Sequence, residues 1–144
     1  MLNSTIKENS NIKKENELYI VKRETLKVKL MNKNIKLILQ ILEDSESFSY
    51  FKEFYLDSLE NLKIIMSLLN HNCLRIRIKA LCVLYYFFSD IDSRNGKITN
   101  VLLMNKQNFE KYFDKFLNDP DVDSEMLEKA NFILYQLERL QNNI

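Results

Sequence analysis

The residues that could do chemistry in this sequence do not combine into a catalytic or metal site. A nucleophile–base pair needs a histidine or a tuned carboxylate beside a serine or cysteine, and His71 is the sequence's one histidine. Cys73 and Cys82 lie nine positions apart without a C-x-x-C motif. The acidic segment 119–125 alternates carboxylates as a calcium loop does, but lacks the loop's glycine and final glutamate. We therefore predict a non-enzymatic protein with no metal and no cofactor.

A basic stretch is the second chemically suggestive feature. It contains Lys22, Arg23, Lys27, Lys29, Lys33 and Lys36, with Glu24 as its one acid. Such a run is most often a solvated helix face, and the whole chain has 21 basic against 20 acidic residues. This balance argues against nucleic acid as the main partner. Binding of an acidic partner or nucleic acid through the Lys22–Lys36 stripe stays the alternative function.

The composition predicts an all-α protein. The sequence has one glycine and one proline in 144 residues. These are too few for the turns that connect β-strands and for glycine-rich nucleotide-binding loops. The longest apolar run, Ala80–Phe88, has nine residues, about half of a membrane span, and the N-terminus has no apolar signal core. We predict a cytoplasmic protein with seven or eight helices, no membrane span and no small-molecule substrate.

The chain is predicted to consist of a polar arm over residues 1–16 and a helical domain over residues 17–144. Helical periodicity begins at Glu17, a second helix covers Ile35–Leu42, and Ser58 is placed to cap a later helix. Apolar stripes predict the interior, which consists of Leu26, Leu62, Ile65, Leu69, Ala80, Leu81, Leu84, Phe87, Phe113, Phe116, Leu134 and Leu137.

A weak internal repeat suggests how the helices stack. Tyr19–Leu26 and Leu74–Leu81 both follow the pattern apolar-x-apolar-basic-x-charged-small-Leu, and each is expected at the start of a long helix. Recurring helical units of this kind build an α-solenoid of armadillo or HEAT type, which offers a long grooved surface.

Several blocks resemble one known family. The run Glu60–Leu69, ENLKIIMSLL, resembles the E-N-L-K-L-M-M-N-L-L helix of the calcium-binding protein 39 (Mo-twenty-five, Hym-like) family. Tyr19–Lys27 resembles its Y-V-T-K-R-Q-S-L-K, Leu102–Asn105 its L-L-K-N, and Phe109–Asp119 its L-I-E-F-L-S-K-F-Q-N-D. The blocks occur in the family's order, and they match the C-terminal third of a family member.

This resemblance implies a non-catalytic scaffold in kinase signalling. The family binds germinal-centre-type protein kinases or a related pseudokinase, captures a short C-terminal Trp-Glu-Phe-like tail, and supports kinase activation. Matched residue by residue, its tail site corresponds here to Tyr19, Arg23, Lys27, Lys63, Met66 and Asn105. A methionine with cations around it suits a tail of aromatic side chains and carboxylates.

The sequence also departs from the family. About nine extra residues follow Lys27, and Met104 stands where the family has a pocket lysine. The family's N-terminal repeats have no counterpart here, so the first helix is expected to show an apolar face. We expect the polar arm or the segment Val28–Asn34 to cover that face; otherwise the chain should self-associate at this edge.

Overall fold

The computed structural model describes residues 2–44 and 46–143, with side chains from Asn9 onward. Over these ranges the chain forms seven α-helices, one short 3₁₀ turn and no strand. The helices are α1 (Leu2–Glu43), α2 (Ser49–Leu56), α3 (Leu59–Leu68), α4 (Leu74–Ser89), α5 (Gly96–Met104), α6 (Lys106–Leu117) and α7 (Ser124–Asn142), and the 3₁₀ turn is Ile91–Ser93. The prediction of an all-α fold with seven or eight helices is confirmed, and the arrangement fits a helical-repeat protein.

The first helix differs from the prediction. We expected a loose arm over residues 1–16, a helix from Glu17 and a separate helix over Ile35–Leu42. Instead α1 begins at Leu2 and continues without a break to Glu43; Met1 lies outside the described residues. The segment 2–16 has no glycine or proline and several Lys and Glu residues, which are good helix formers. It has few apolar side chains, which made it resemble an arm, although no residue in it ends a helix.

The chain divides into two compact units, one ending at Asn34 and the other beginning at Ile35. In the described part of the first unit, Leu18, Val21 and Leu26 are each more than half exposed. The prediction that Leu26 is buried is therefore wrong. Helical periodicity shows which residues share a face, but it does not show whether another element covers that face.

The second unit is organised around α4, which packs against α3 and α7. Leu81, Leu84 and Phe87 are fully buried on this helix, as expected for a helix that is apolar nearly all round. Leu134 is only half-buried, which corrects its predicted place inside. The other predicted core positions are buried, namely Leu62, Ile65, Leu69, Ala80, Leu81, Leu84, Phe87, Phe113, Phe116 and Leu137.

Side-chain caps start three helices of the second unit. Ser58 Oγ accepts a hydrogen bond from the Asn61 backbone N–H at 3.3 Å, as the sequence predicted. Asn95 Oδ1 caps α5 at 3.1 Å, and Asp123 Oδ1 caps α7 at 2.9 Å. The acidic segment 119–125 thus contributes a helix cap, since a carboxylate stabilises a helix N-terminus.

No helix among the described residues is long and apolar enough to cross a membrane. Within the same ranges, His, Cys, Asp and Glu side chains form no group of three or more that could hold a metal ion.

Candidate functional site

A groove of about 380 Å³ lies between the C-terminal end of α3 and α6 in the second unit. The end of α3 supplies one wall, and α6 with the residue that precedes it supplies the other. The lining residues are Met66, Leu69, Asn70, Asn105, Asn108, Phe109, Lys111, Tyr112 and Lys115.

The apolar part of the groove is fixed by the core beneath it. Leu69 and Phe109 are 4% and 3% exposed, and half-buried Met66 packs against the same core. Methionine is flexible and polarisable, so it adapts its shape to an incoming aromatic ring. This part of the groove therefore suits a large apolar side chain.

Asn105 forms a polar edge between α5 and α6. Its side-chain Nδ2 donates to the Val101 carbonyl at 2.8 Å, and its Oδ1 accepts from Asn108 Nδ2 at 3.3 Å. The Asn105 carbonyl in turn accepts from the Phe109 N–H at 2.9 Å. These bonds hold the turn that joins the two helices and fix the direction of α6.

The cationic edge of the groove lies on α6. Lys111 and Lys115 are one helical turn apart, so their side chains share a face, and both are exposed. The described residues that line the groove include these two lysines and no carboxylate. A negatively charged ligand would meet favourable charge along this edge.

Tyr112, which lines the groove, has a buried hydroxyl. Its ring packs against Phe113 and Phe116, with ring centroids 5.4 and 5.9 Å away. The hydroxyl oxygen is buried and has no hydrogen-bond partner among the described residues. Burial raises the pKa of Tyr112 above its ordinary value, while the nearby Arg77 cation opposes the rise. The hydroxyl therefore stays protonated at neutral pH and can donate one hydrogen bond.

The Tyr112→Phe variant should be more stable than the unaltered chain, with a free energy of unfolding about 1 kcal/mol higher, because burying a hydroxyl that has no hydrogen-bond partner destabilises the folded state. Urea unfolding followed by far-UV circular dichroism measures this change. Tyr135→Phe is the matched control: Tyr135 is 64% exposed, so its hydroxyl stays in water and no change is expected. A loss of stability in Tyr112→Phe would show that the hydroxyl is bonded within the folded chain.

The predicted site residues are distributed over both units. Tyr19, Arg23 and Lys27 lie on α1 in the first unit, where all three are exposed. In the second unit, Met66 and Asn105 meet in the groove. Lys63 is exposed on α3, one turn before Met66, and is not part of the groove lining.

Comparison with known proteins identifies the family. The model of the Mo25-like family matches residues 12–141, which is nearly the whole chain. The chain belongs to the Mo25-like family. This family member is 29% identical over 126 residues to the Mo25-like protein of Schizosaccharomyces pombe, covering 88% of the chain and 35% of that relative. It is 27% identical over 124 residues to the conidiophore development protein hymA of Emericella nidulans, covering 86% and 29%.

The match covers a limited part of each relative. The chain spans about a third of the length of the curated relatives it matches. The Mo25-like assignment confirms the resemblance seen in the Glu60–Leu69 run and in the other sequence blocks. It establishes the family of this chain.

The sequence did not indicate several groove residues, chiefly Lys111, Tyr112 and Lys115. Tyr112 belongs to an aromatic set at i, i+3, i+4, i+7 spacing that also contains Phe109, Phe113 and Phe116. This spacing is typical of a core face and does not show where the polar end of one side chain lies. The two lysines could have been noticed from their i, i+4 spacing. Only the packing of α6 against the end of α3 shows that they border a groove.

Proposed function

We propose that this chain is a non-catalytic scaffold that binds a germinal-centre-type protein kinase or a related pseudokinase by capturing its C-terminal tail in the groove. Membership in the Mo25-like family supports a scaffold-type protein. The observation that carries the proposal is the meeting of Met66 with the α6 lysines around one groove. Support of kinase activation by the scaffold is part of the same proposal.

A Trp-Glu-Phe-like tail fits the chemistry of this groove. An aromatic side chain that enters beside Met66 and Phe109 gains about 1.5–3 kcal/mol from burial. The tail's glutamate and its terminal carboxylate would each accept a hydrogen bond from a lysine on α6. Such a charge-assisted hydrogen bond contributes about 1.5–3 kcal/mol. Ordering the tail offsets part of this sum, so we expect micromolar affinity.

The cations of this groove are placed differently from those of the family pattern. Met104, which replaces a family lysine, is 83% exposed and does not line the groove. Lys111 stands where the similar family block has glutamate, and Lys115 matches the lysine of that block. We propose that Lys111 restores the positive charge that Met104 removes.

A second surface depression is less suited to an acidic tail. It lies beside α2, and its lining includes Tyr50, Phe54 and the carboxylates of Glu53 and Asp57. Both carboxylates would repel a tail that carries a glutamate and a free C-terminus. Charge therefore favours the groove at α6.

The first unit offers further residues for partner binding. Tyr19, Arg23 and Lys27 follow i, i+4, i+8 spacing on α1 and so share one face. Lys27 Nζ lies 3.3 Å from Glu24 Oε1 in an exposed pair, which contributes little to stability and leaves the lysine able to exchange partners. We propose these three residues, together with Lys63, as additional contacts to the kinase or pseudokinase.

Fluorescence anisotropy with a labelled peptide that ends in Trp-Glu-Phe tests the groove. Met66→Ala and Lys115→Ala should each weaken binding about tenfold, because each removes a contact that contributes roughly 1.4 kcal/mol to the binding free energy. Two matched controls should change binding little. They are Ile64→Ala on the same helix as Met66, where Ile64 is 57% exposed, and Lys97→Ala at an exposed position on α5. Absence of binding by the unaltered chain would contradict the proposal.

Salt dependence separates the tail site from the alternative function. Binding of nucleic acid through the Lys22–Lys36 stripe would weaken steeply with added salt, by counterion release. Capture of one tail should depend on salt much less. Equal losses from Arg23→Ala, Lys29→Ala and Lys115→Ala, together with a steep salt slope, would favour the diffuse electrostatic alternative.

A further inference from the structure

Residues on one face of α1 follow the heptad spacing of a coiled coil. Leu18, Val21, Thr25, Val28 and Asn32 are spaced 3, 4, 3 and 4 residues apart. This is the spacing of the a and d positions of a coiled coil, with Leu18, Thr25 and Asn32 at a and the two valines at d. An α-helix with this stripe is suited to packing against a second helix of the same kind.

The stripe is open to solvent over its first turns. Leu18 and Val21 are 54% and 61% exposed, and Thr25 is exposed as well. Val28 and Asn32 are half-buried. We expected either the polar arm or the segment Val28–Asn34 to cover this face. Both segments are part of the continuous helix α1, so neither folds back over it.

The charges beside the stripe favour one specific partner. Glu17 and Glu24 occupy g positions, and Lys22 and Lys29 occupy e positions. In a parallel pair of helices each g residue meets the e residue five positions later on the other chain, so both glutamates would meet lysines. In an antiparallel pair, g meets g and e meets e, which would place like charges together.

We propose that the Glu17–Asn32 segment of α1 pairs with the same segment of a second copy as a parallel two-stranded coiled coil. The exposed Glu24–Lys27 pair is weak in water, so it does not compete strongly with a contact between Glu24 and Lys29 of the second copy.

The heptad spacing sets the length of this contact. The same spacing continues to Ile35, Leu39 and Leu42, which are buried in the core of the second unit and so cannot face another chain. Since Val28 and Asn32 are half-buried, the fully exposed part of the seam is little more than one heptad long, which predicts a weak and reversible dimer. It also leaves Tyr19, Arg23 and Lys27 at the outer b, f and c positions, so pairing and partner binding use different faces.

Sedimentation equilibrium of the full chain, loaded from about 5 to 500 µM, tests the proposal. The unaltered chain should show a monomer–dimer equilibrium. Val21→Asp places two carboxylates in the seam and should weaken the dimer at least about thirtyfold. Ile20→Asp is the matched control, because Ile20 is a similarly exposed apolar residue, 57% exposed, at an outer c position. A monomer at every concentration, or equal losses from the two variants, would overturn the proposal.

A charge swap tests whether the pairing is parallel. Glu24→Lys and Lys29→Glu should each weaken the dimer about tenfold, because each places like charges across the seam. The double variant E24K/K29E restores both contacts in a parallel dimer and should return to the affinity of the unaltered chain. Residues five apart do not face each other on one helix, so rescue reports contact between chains. Additive losses in the double variant would exclude the parallel arrangement.

Discussion

Replacing Phe87 by alanine is expected to lower the free energy of unfolding by about 3–5 kcal/mol. Phe87 is fully buried on α4, the helix around which the second unit is built. Its ring lies 6.0 Å from the ring of Tyr55 on α2, measured between centroids. Removing the ring loses its burial and leaves a cavity that rigid helices cannot fill. Urea unfolding monitored by far-UV circular dichroism gives the difference.

Phe54→Ala is the control for this experiment, since the chemical change is identical and only the environment differs. Phe54 is 77% exposed on α2, and a surface substitution of this kind usually changes stability by no more than about 0.5 kcal/mol. Similar losses from Phe54→Ala and Phe87→Ala would contradict the assignment of α4 as the centre of the core.

The second large effect is expected at Arg94, which closes the C-terminal end of α4. The Arg94 guanidinium donates from Nη2 to the Tyr86 carbonyl at 3.1 Å and from Nε to the Phe87 carbonyl at 3.3 Å. Arg94→Ala should cost about 2–3 kcal/mol of unfolding free energy, because two carbonyls near a helix end lose a charged donor. Thermal and urea unfolding both measure the loss.

Two opposing effects act on the pKa of Arg94. Burial lowers the pKa of the guanidinium from its usual value, while the carboxylates of Asp90, Asp57 and Glu53 act in the opposite direction. Arginine stays protonated at neutral pH in either case. The predicted loss in Arg94→Ala should therefore be the same across the neutral pH range.

Two further variants separate the geometry of Arg94 from its charge. Arg94→Lys keeps the positive charge but lacks the planar fork that reaches two carbonyls at once, so it should recover only part of the stability. Arg75→Ala removes the same type of side chain at an exposed position near the start of α4 and should change little. Full recovery by Arg94→Lys would show that charge alone matters.

The amino-acid sequence by itself determined the fold class and much of the core. With one glycine and one proline in the chain, backbone hydrogen bonds are satisfied most readily within helices. The stripes that contain Leu62, Leu84 and Phe113 then predict buried faces, because 3.6-residue spacing is a local property. The Ser58 cap was predictable for the same reason, since a cap depends on residues only a few positions apart.

The tertiary structure decided which faces are covered and which side chains meet. Leu26 has the periodicity of a core residue but is 58% exposed, because coverage depends on an element elsewhere in the chain. Met66 and Lys115 are almost fifty positions apart in the sequence, and only packing of the end of α3 against α6 brings them to one groove. Arg94 reaches the end of α4 through a turn whose path the sequence did not reveal. Local patterns determine secondary structure and its faces, whereas contacts between distant segments depend on how the helices pack.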